Sequence, residues 1–229
     1  MRTITYVPIV HVPKTEKIKK FEREFKDGKE REACKMSSML SDLLGECGVW
    51  KEISKYLESK SFDVMYCDSQ TRWIAERARA PPIEPTGDSL IKIMERVLYK
   101  GARAEKTELA LLLELTEICL HIPEILGEPA KEILIGLATE RGIAGDGKEE
   151  QNELEELEGF IAEEDIIDPI RLRDKYIAYQ IDRTLRPGEN GVLFLGLSHY
   201  ADRYLIQYED VLIKKYWHTV YDELRDIFK

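Results

Sequence analysis

The chain holds four histidines, and two of them stand where short apolar runs end. His11 lies in the last part of the run Ile4 to Val12. His199 follows the run Val192 to Leu197, in the stretch Gly196-Leu197-Ser198-His199. Two other such runs end on acids. Phe62 to Cys67 is followed by Asp68, with Arg72 four residues further on. The weaker run Ala102-Arg103-Ala104 is followed by Glu105 and Glu108. Neutral imidazole and carboxylate together suit Zn, Mn, Fe or Co, or general acid–base work. The expected catalytic residues are therefore His11, His199, Arg173, Asp68 and Glu108, and the expected metal donors are His11, His199 and Asp68. Asp68 or Glu108 is the carboxylate partner of the histidines.

Simpler explanations stand beside these. His121, ahead of Ile122-Pro123 at a helix end, is accounted for by the helix dipole. His218 lies in an amphipathic C-terminal stretch and reads as structural. Glu105 and Glu108 precede the apolar segment Leu109–Leu113, where Thr107 would cap; acids at a helix start are favourable without any chemistry. Cys67 reads as a small buried residue. Asp174 falls on an apolar stripe made by Ile170, Ile177, Ala178, Ile181 and Leu185. A carboxylate there must be paired or hydrogen-bonded. It and the neighbouring Arg173 form either a structural tie between helix and sheet or a guanidinium that meets an anionic group.

The elements that must position these residues alternate between strand and helix. The uninterrupted run Val192–Leu197 suits a strand covered on both faces, as in a parallel sheet. Pro8, without an N–H, favours an edge or strand-start position. Ile133-Leu134-Ile135 fits a strand or a helix equally. Helices are expected over 15–32, 36–59, 88–99 and 107–120, and over a closing stretch from Trp217 to Phe228. The clearest helix runs from Pro169 to about Arg186: Asp168 caps it, Pro169 fits its first turn and Pro187-Gly188 ends it. This order predicts an α/β fold, a mainly parallel sheet flanked by helices, with a helical insertion after the first strand at about residues 14–60. The whole of 1–229 reads as one domain, and the acidic segment at about 145–158 as a solvated loop or exposed helix. Open parallel sheets bind ligands at the carboxyl ends of their strands, which is where the histidines and acids fall.

The motif Arg173-Asp174-Lys175-Tyr176-Ile177-Ala178, followed by Gly196-Leu197-Ser198-His199, resembles the TraB/TIKI, erythromycin-esterase and ChaN-like superfamily. The similarity is best over about residues 168–203. An N-terminal strand ending in G-x-x-H and a strand-end acid followed by Arg complete that group's pattern. Here Pro8-Ile9-Val10-His11 has proline for the glycine, and Asp68 stands for the usual Glu. The resemblance implies an α/β fold with both histidines converging near the centre of the sheet. Members of that group include metal-dependent peptidases, macrolide esterases and haem-binding proteins, so kinship does not choose the reaction.

Composition narrows the classes. With 34 Lys+Arg against 44 Asp+Glu, the net charge is −10, which argues against nucleic-acid and anionic-membrane partners. No apolar run approaches the roughly 20 residues that span a bilayer, and the first residues lack a signal-peptide pattern. A cytoplasmic location is the expectation. The cysteines, Cys34, Cys47, Cys67 and Cys119, form no C-x-x-C pair and are expected to be reduced. Asparagine occurs only at 152 and 190 while charged residues make up 34%, the composition of a thermophile. G-x-G-x-x-G, P-loop, G-x-S-x-G and H-E-x-x-H patterns are absent from the sequence. The expected function is a metal-assisted hydrolase of esterase or peptidase type, acting on a small molecule or peptide. The alternative is a non-catalytic protein that binds a small ligand or haem in the same pocket. A homo-oligomer is compatible with either, and the helices at 15–32 and 36–59 offer a contact surface.

Overall fold

The structure, a computed structural model, describes residues 1–9, 48–67, 89–109, 112–113, 116, 136, 155–157, 159–160, 168–196, 199–219 and 221–222. Its ordered elements are β1 (Arg2–Ile9), α1 (Val49–Glu58), β2 (Val64–Cys67), α2 (Leu90–Tyr99), β3 (Arg103–Glu105), α3 (Pro169–Thr184), β4 (Asn190–Gly196), α4 (Asp202–Leu205) and β5 (Val211–Lys215). The five strands form one sheet in the order β3-β2-β4-β1-β5, and every pairing is parallel. The α/β fold with a parallel sheet is thus as expected from the sequence. Of the insertion after β1, α1 is described. His11, Asp68, Arg72, His121, the undecided Ile133–Ile135, the helix at 15–32 and most of the acidic segment at 145–158 lie outside the described residues.

Both faces of the sheet are covered, and the residues alternate accordingly. Val7, Ile9, Met65, Cys67, Val192 and Phe194 pack against α1 and α2. Ile4, Tyr6, Val64, Tyr66, Leu193 and Leu195 pack against α3 and α4. This two-sided burial is why β4 reads as a continuous apolar run. α1 and α2, which lie in sequence between β1 and β3, are on one face, and α3 and α4, between β3 and β5, are on the other. Crossovers of a single hand require that division.

α1 buries Val49, Ile53 and Leu57, one residue per turn. It begins later than the expected 36–59 helix, because Gly48 has φ 65° and breaks any α-helix running through it. α2 is capped by Ser89, whose hydroxyl accepts from the Lys92 N–H. At its other end Gly101 (φ 102°) closes the helix: its N–H bonds Leu98 O and the Ala102 N–H bonds Val97 O. Near the C-terminus, helical backbone is described only at Tyr221 and Asp222; Trp217 and His218, expected to be helical, are not. His218 Nε2 lies 3.1 Å from Glu52 on α1.

Pro8 sits in a strand with neighbours on both sides, which the edge expectation did not foresee. Tyr6 O accepts from the Tyr216 N–H at 2.8 Å, so residues 6 and 8 aim their backbone groups towards β5. The last β1–β5 pair is Tyr6 with Lys215. The missing donor of Pro8 therefore falls past the end of the ladder, and its carbonyl accepts the Tyr221 hydroxyl at 2.7 Å. At the start of β4, a Cβ on Gly191 would stand 2.6 Å from Ile4 Cδ1 and 3.2 Å from the Tyr66 ring. Glycine there lets the two core side chains close over the strand.

The amino end of the sheet is held by two arginines. Arg2 donates to both carboxylate oxygens of Asp210, to Asp182 Oδ1, and to the carbonyls of Asp182 (2.6 Å) and Leu185 (3.3 Å). Arg103 donates to Glu105, to both oxygens of Glu189 and to Thr184 O at 2.7 Å. Three of the acceptors are carbonyls at the C-terminal end of α3, where a cation meets both unpaired acceptors and the negative end of the dipole. Burial pushes the neighbouring Tyr66 hydroxyl up to about 12, and it hydrogen-bonds Thr184 Oγ1 at 3.0 Å.

The Arg103 guanidinium holds the Glu189 carboxyl down at about 2 against an ordinary 4.5. A depressed folded-state value contributes stability above the unfolded value and loses it as the pH falls. Urea unfolding of wild type should therefore show a stability loss between about pH 4.5 and pH 2 that is smaller in Glu189→Gln. Parallel stability curves for the two proteins across that window would show that the pair does not hold this end of the sheet.

Candidate functional site

α3 begins at the carboxyl end of the sheet and finishes at the amino end. Asp168 caps it, accepting from the Arg171 N–H at 3.2 Å, with Pro169 in its first turn. Its inner face, Ile177, Ala178, Ile181 and Leu185, lies on the strands. Asp174 continues that face towards the carboxyl end and is only 1% exposed. It is satisfied twice. His199 Nδ1 lies 2.6 Å from Oδ1, and the Tyr200 N–H donates to Oδ2 at 2.7 Å. A carboxylate accepts, so Nδ1 carries a proton in this bond.

His199 is 7% exposed and sits three residues beyond the end of β4. Its position is fixed through the backbone as well. Its N–H donates to Gly196 O at 3.0 Å, and its carbonyl accepts the hydroxyl of buried Tyr6 at 3.3 Å. The Tyr6 ring in turn lies 4.7 Å from Lys215 Nζ, and Lys215 pairs with Asp202 at 2.8 Å.

Arg173, the neighbour of Asp174, turns to the end of β3. Its Nε donates to Glu108 Oε1 at 2.9 Å, and its Nη2 contacts the same oxygen. Glu108 is 2% exposed. The loop that carries it is tied to β2, because the Thr107 hydroxyl donates to Cys67 O at 2.6 Å. The Thr107 side chain, expected from the sequence to cap a helix, thus bridges two strand ends. Glu105 belongs to the Arg103 cluster at 2.8 Å.

Three of the expected site residues, His199, Arg173 and Glu108, thus stand at the carboxyl ends of the strands, joined by one turn of α3. The carboxylate on His199 Nδ1 is Asp174, whereas the sequence had pointed to Asp68 or Glu108. The signal for Asp174 was present as the one acid on an apolar stripe, but its partner across the fold was not readable. His11 and Asp68 follow in sequence on the ends of β1 and β2, the strands on either side of β4; they lie outside the described residues.

α1 and α2, the described helices that follow β1 and β2 in the chain, lie on one face of the sheet, and α4, which follows β4, lies on the other. The carboxyl end of β4 is accordingly a switch point, the usual location of a ligand crevice in an open α/β sheet. A separate groove of about 210 Å³ lies between α1 and α2, floored by Leu57, Phe62, Ile93 and Val97. Phe62 precedes β2, so that groove belongs to the opposite end of the sheet.

No family model matches the chain, nor does any curated protein or solved structure. Among the described residues no helix is long and apolar enough to cross a membrane, and no group of three His, Cys, Asp or Glu converges on one point.

Removing the Asp174 carboxylate would leave two buried donors without their acceptor. Asp174→Ala should therefore cost about 2–4 kcal/mol in equilibrium unfolding. Asp174→Asn, which keeps one acceptor oxygen, should lose less. Wild-type stability in Asp174→Ala would mean that the loop after β4 is held by something else.

Proposed function

We propose that the protein is a hydrolase, assisted by a divalent metal, acting on an ester or peptide bond at the carboxyl ends of β2, β4 and β1. The single observation behind this reading is the buried Asp174–His199 pair just beyond β4. A histidine whose Nδ1–H is given to a carboxylate has one tautomer and one ring orientation, which suits Nε2 to ligate a metal or take a proton. The donor chemistry fits Zn, Mn, Fe or Co, with His11 and Asp68 as the further donors.

A bound divalent ion supplies polarisation of the scissile carbonyl and a more acidic water. The chain's own residues do the rest. Asp174 keeps His199 from rotating and balances positive charge on the ring. Glu108 engages Nε and Nη2 of Arg173 and holds the guanidinium at the strand ends, where it meets negative charge developing on the carbonyl oxygen. The substrate we infer is a small molecule or a peptide.

The test is metal analysis of protein purified without chelators, combined with hydrolysis of a panel of chromogenic esters and peptides. About one metal per chain is expected. His199→Ala should lose the metal and at least about 100-fold in kcat/KM while keeping its far-UV spectrum. Hydrolysis by metal-free protein, or unchanged metal and activity in His199→Ala, would overturn the reading. So would a visible haem band lost in His199→Ala together with no hydrolysis, which would establish ligand binding in its place.

A further inference from the structure

The groove between α1 and α2 lies at the amino end of the sheet, away from His199. Its floor is apolar: Leu57 of α1, Phe62 ahead of β2, and Ile93 and Val97 of α2. Close packing ordinarily fills such a space with side chains, yet about 210 Å³ stays open here. A cavity of ~150 Å³ holds a benzene, so one ring or a short branched chain fits.

The rim carries charge of mainly one sign. Lys60, Arg96 and Lys100 line it with a single acid, Glu58, in a chain whose net charge is −10. Lys60 Nζ stands 4.4 Å from the centre of the Tyr56 ring, and Lys100 Nζ donates to Glu58 O at 2.6 Å. Neither ammonium meets a carboxylate among the described residues. An ammonium has three donors, so Lys100 keeps two after its bond to the carbonyl. A lysine at a helix C-terminus is favourable without any ligand, which accounts for the bond to Glu58 O. It does not account for an open apolar floor beside two such groups. A neutral or cationic ring would leave both ammoniums unanswered, whereas a carboxylate on an apolar body answers floor and rim together.

We propose that this groove binds a small organic carboxylate, with its apolar body on Leu57, Phe62, Ile93 and Val97 and its charge drawn to Lys60 and Lys100. The site is separate from the chemistry assigned to His199.

Titration of the full chain with phenylacetate, followed through backbone amide resonances, tests it. Benzyl alcohol and benzylamine are the neutral and cationic comparisons. Phenylacetate should bind with a Kd of about 1 mM or tighter, roughly tenfold better than either comparison, and shift the Ile93, Val97 and Lys100 N–H resonances. Lys60→Glu and Lys100→Glu should each weaken phenylacetate about fivefold, with benzyl alcohol and the far-UV spectrum unchanged. Glu58→Gln should tighten phenylacetate, and Ser54→Trp, on the lining, should block it by filling the groove. No binding, equal binding of the three probes, or indifference of phenylacetate to both lysine variants would each overturn the proposal. Shifts centred on His199 and Tyr200 would also overturn it, by placing the anion at the other end of the sheet.

Discussion

Asp174 is a carboxylate taken almost wholly out of water, and burial of such a group is tolerable only with donors on both oxygens. The two donors, the His199 ring and the Tyr200 backbone, come from the loop that leaves β4. That requirement fixes the first turns of α3 at the carboxyl end of the sheet. The other end of the helix is fixed by Arg2 and Arg103, which donate to the carbonyls of residues 182, 184 and 185. The lengths agree. Sixteen helical residues rise ~24 Å and the seven residues of β4 extend ~23 Å. The helix therefore spans the sheet once, with one end tied by a buried acid and the other by arginines.

The two ends of the sheet divide the labour. At the amino end, the arginines are saturated by acids and carbonyls, and the charges there are spent on stability. At the carboxyl end, Arg173 and Asp174 are consecutive in the chain yet serve different strands, one reaching Glu108 beyond β3 and the other His199 beyond β4. A single helical turn thus couples the outermost strand to a central one. Thr107 adds a third link, from the β3 loop to the last carbonyl of β2.

Elements with strong local signals were legible in the sequence. α3 carried its cap, its first-turn proline and its terminating Pro187-Gly188, and β4 its unbroken apolar run. β5 was not legible. Five residues, two of them lysine, with one half-buried face on an edge, give neither a long apolar run nor a clean alternation. The break at Gly48 was hidden because apolar spacing on either side continued in phase. In the site, residue types and strand ends pointed to His199, Arg173 and Glu108. The pairing of His199 with Asp174 was not readable, since it joins residues 25 apart through the packing of a helix on a sheet. Nor did Arg2 stand out: its partners lie 180 and 208 residues away.

The buried acids at the carboxyl end are each matched by donors from another element. Among the described residues, Glu108 and Asp174 are buried acids at this end of the sheet. Arg173 donates to Glu108, and the His199 ring and the Tyr200 N–H meet Asp174. Removing a carboxylate from water is tolerable only where donors replace the lost hydration. Arg173 and Asp174 are adjacent in the chain, so one helical turn supplies the donor for one acid and carries the other. A shift of α3 along the sheet would therefore break both contacts together, which ties the loops after β3 and β4 to a single placement of the helix.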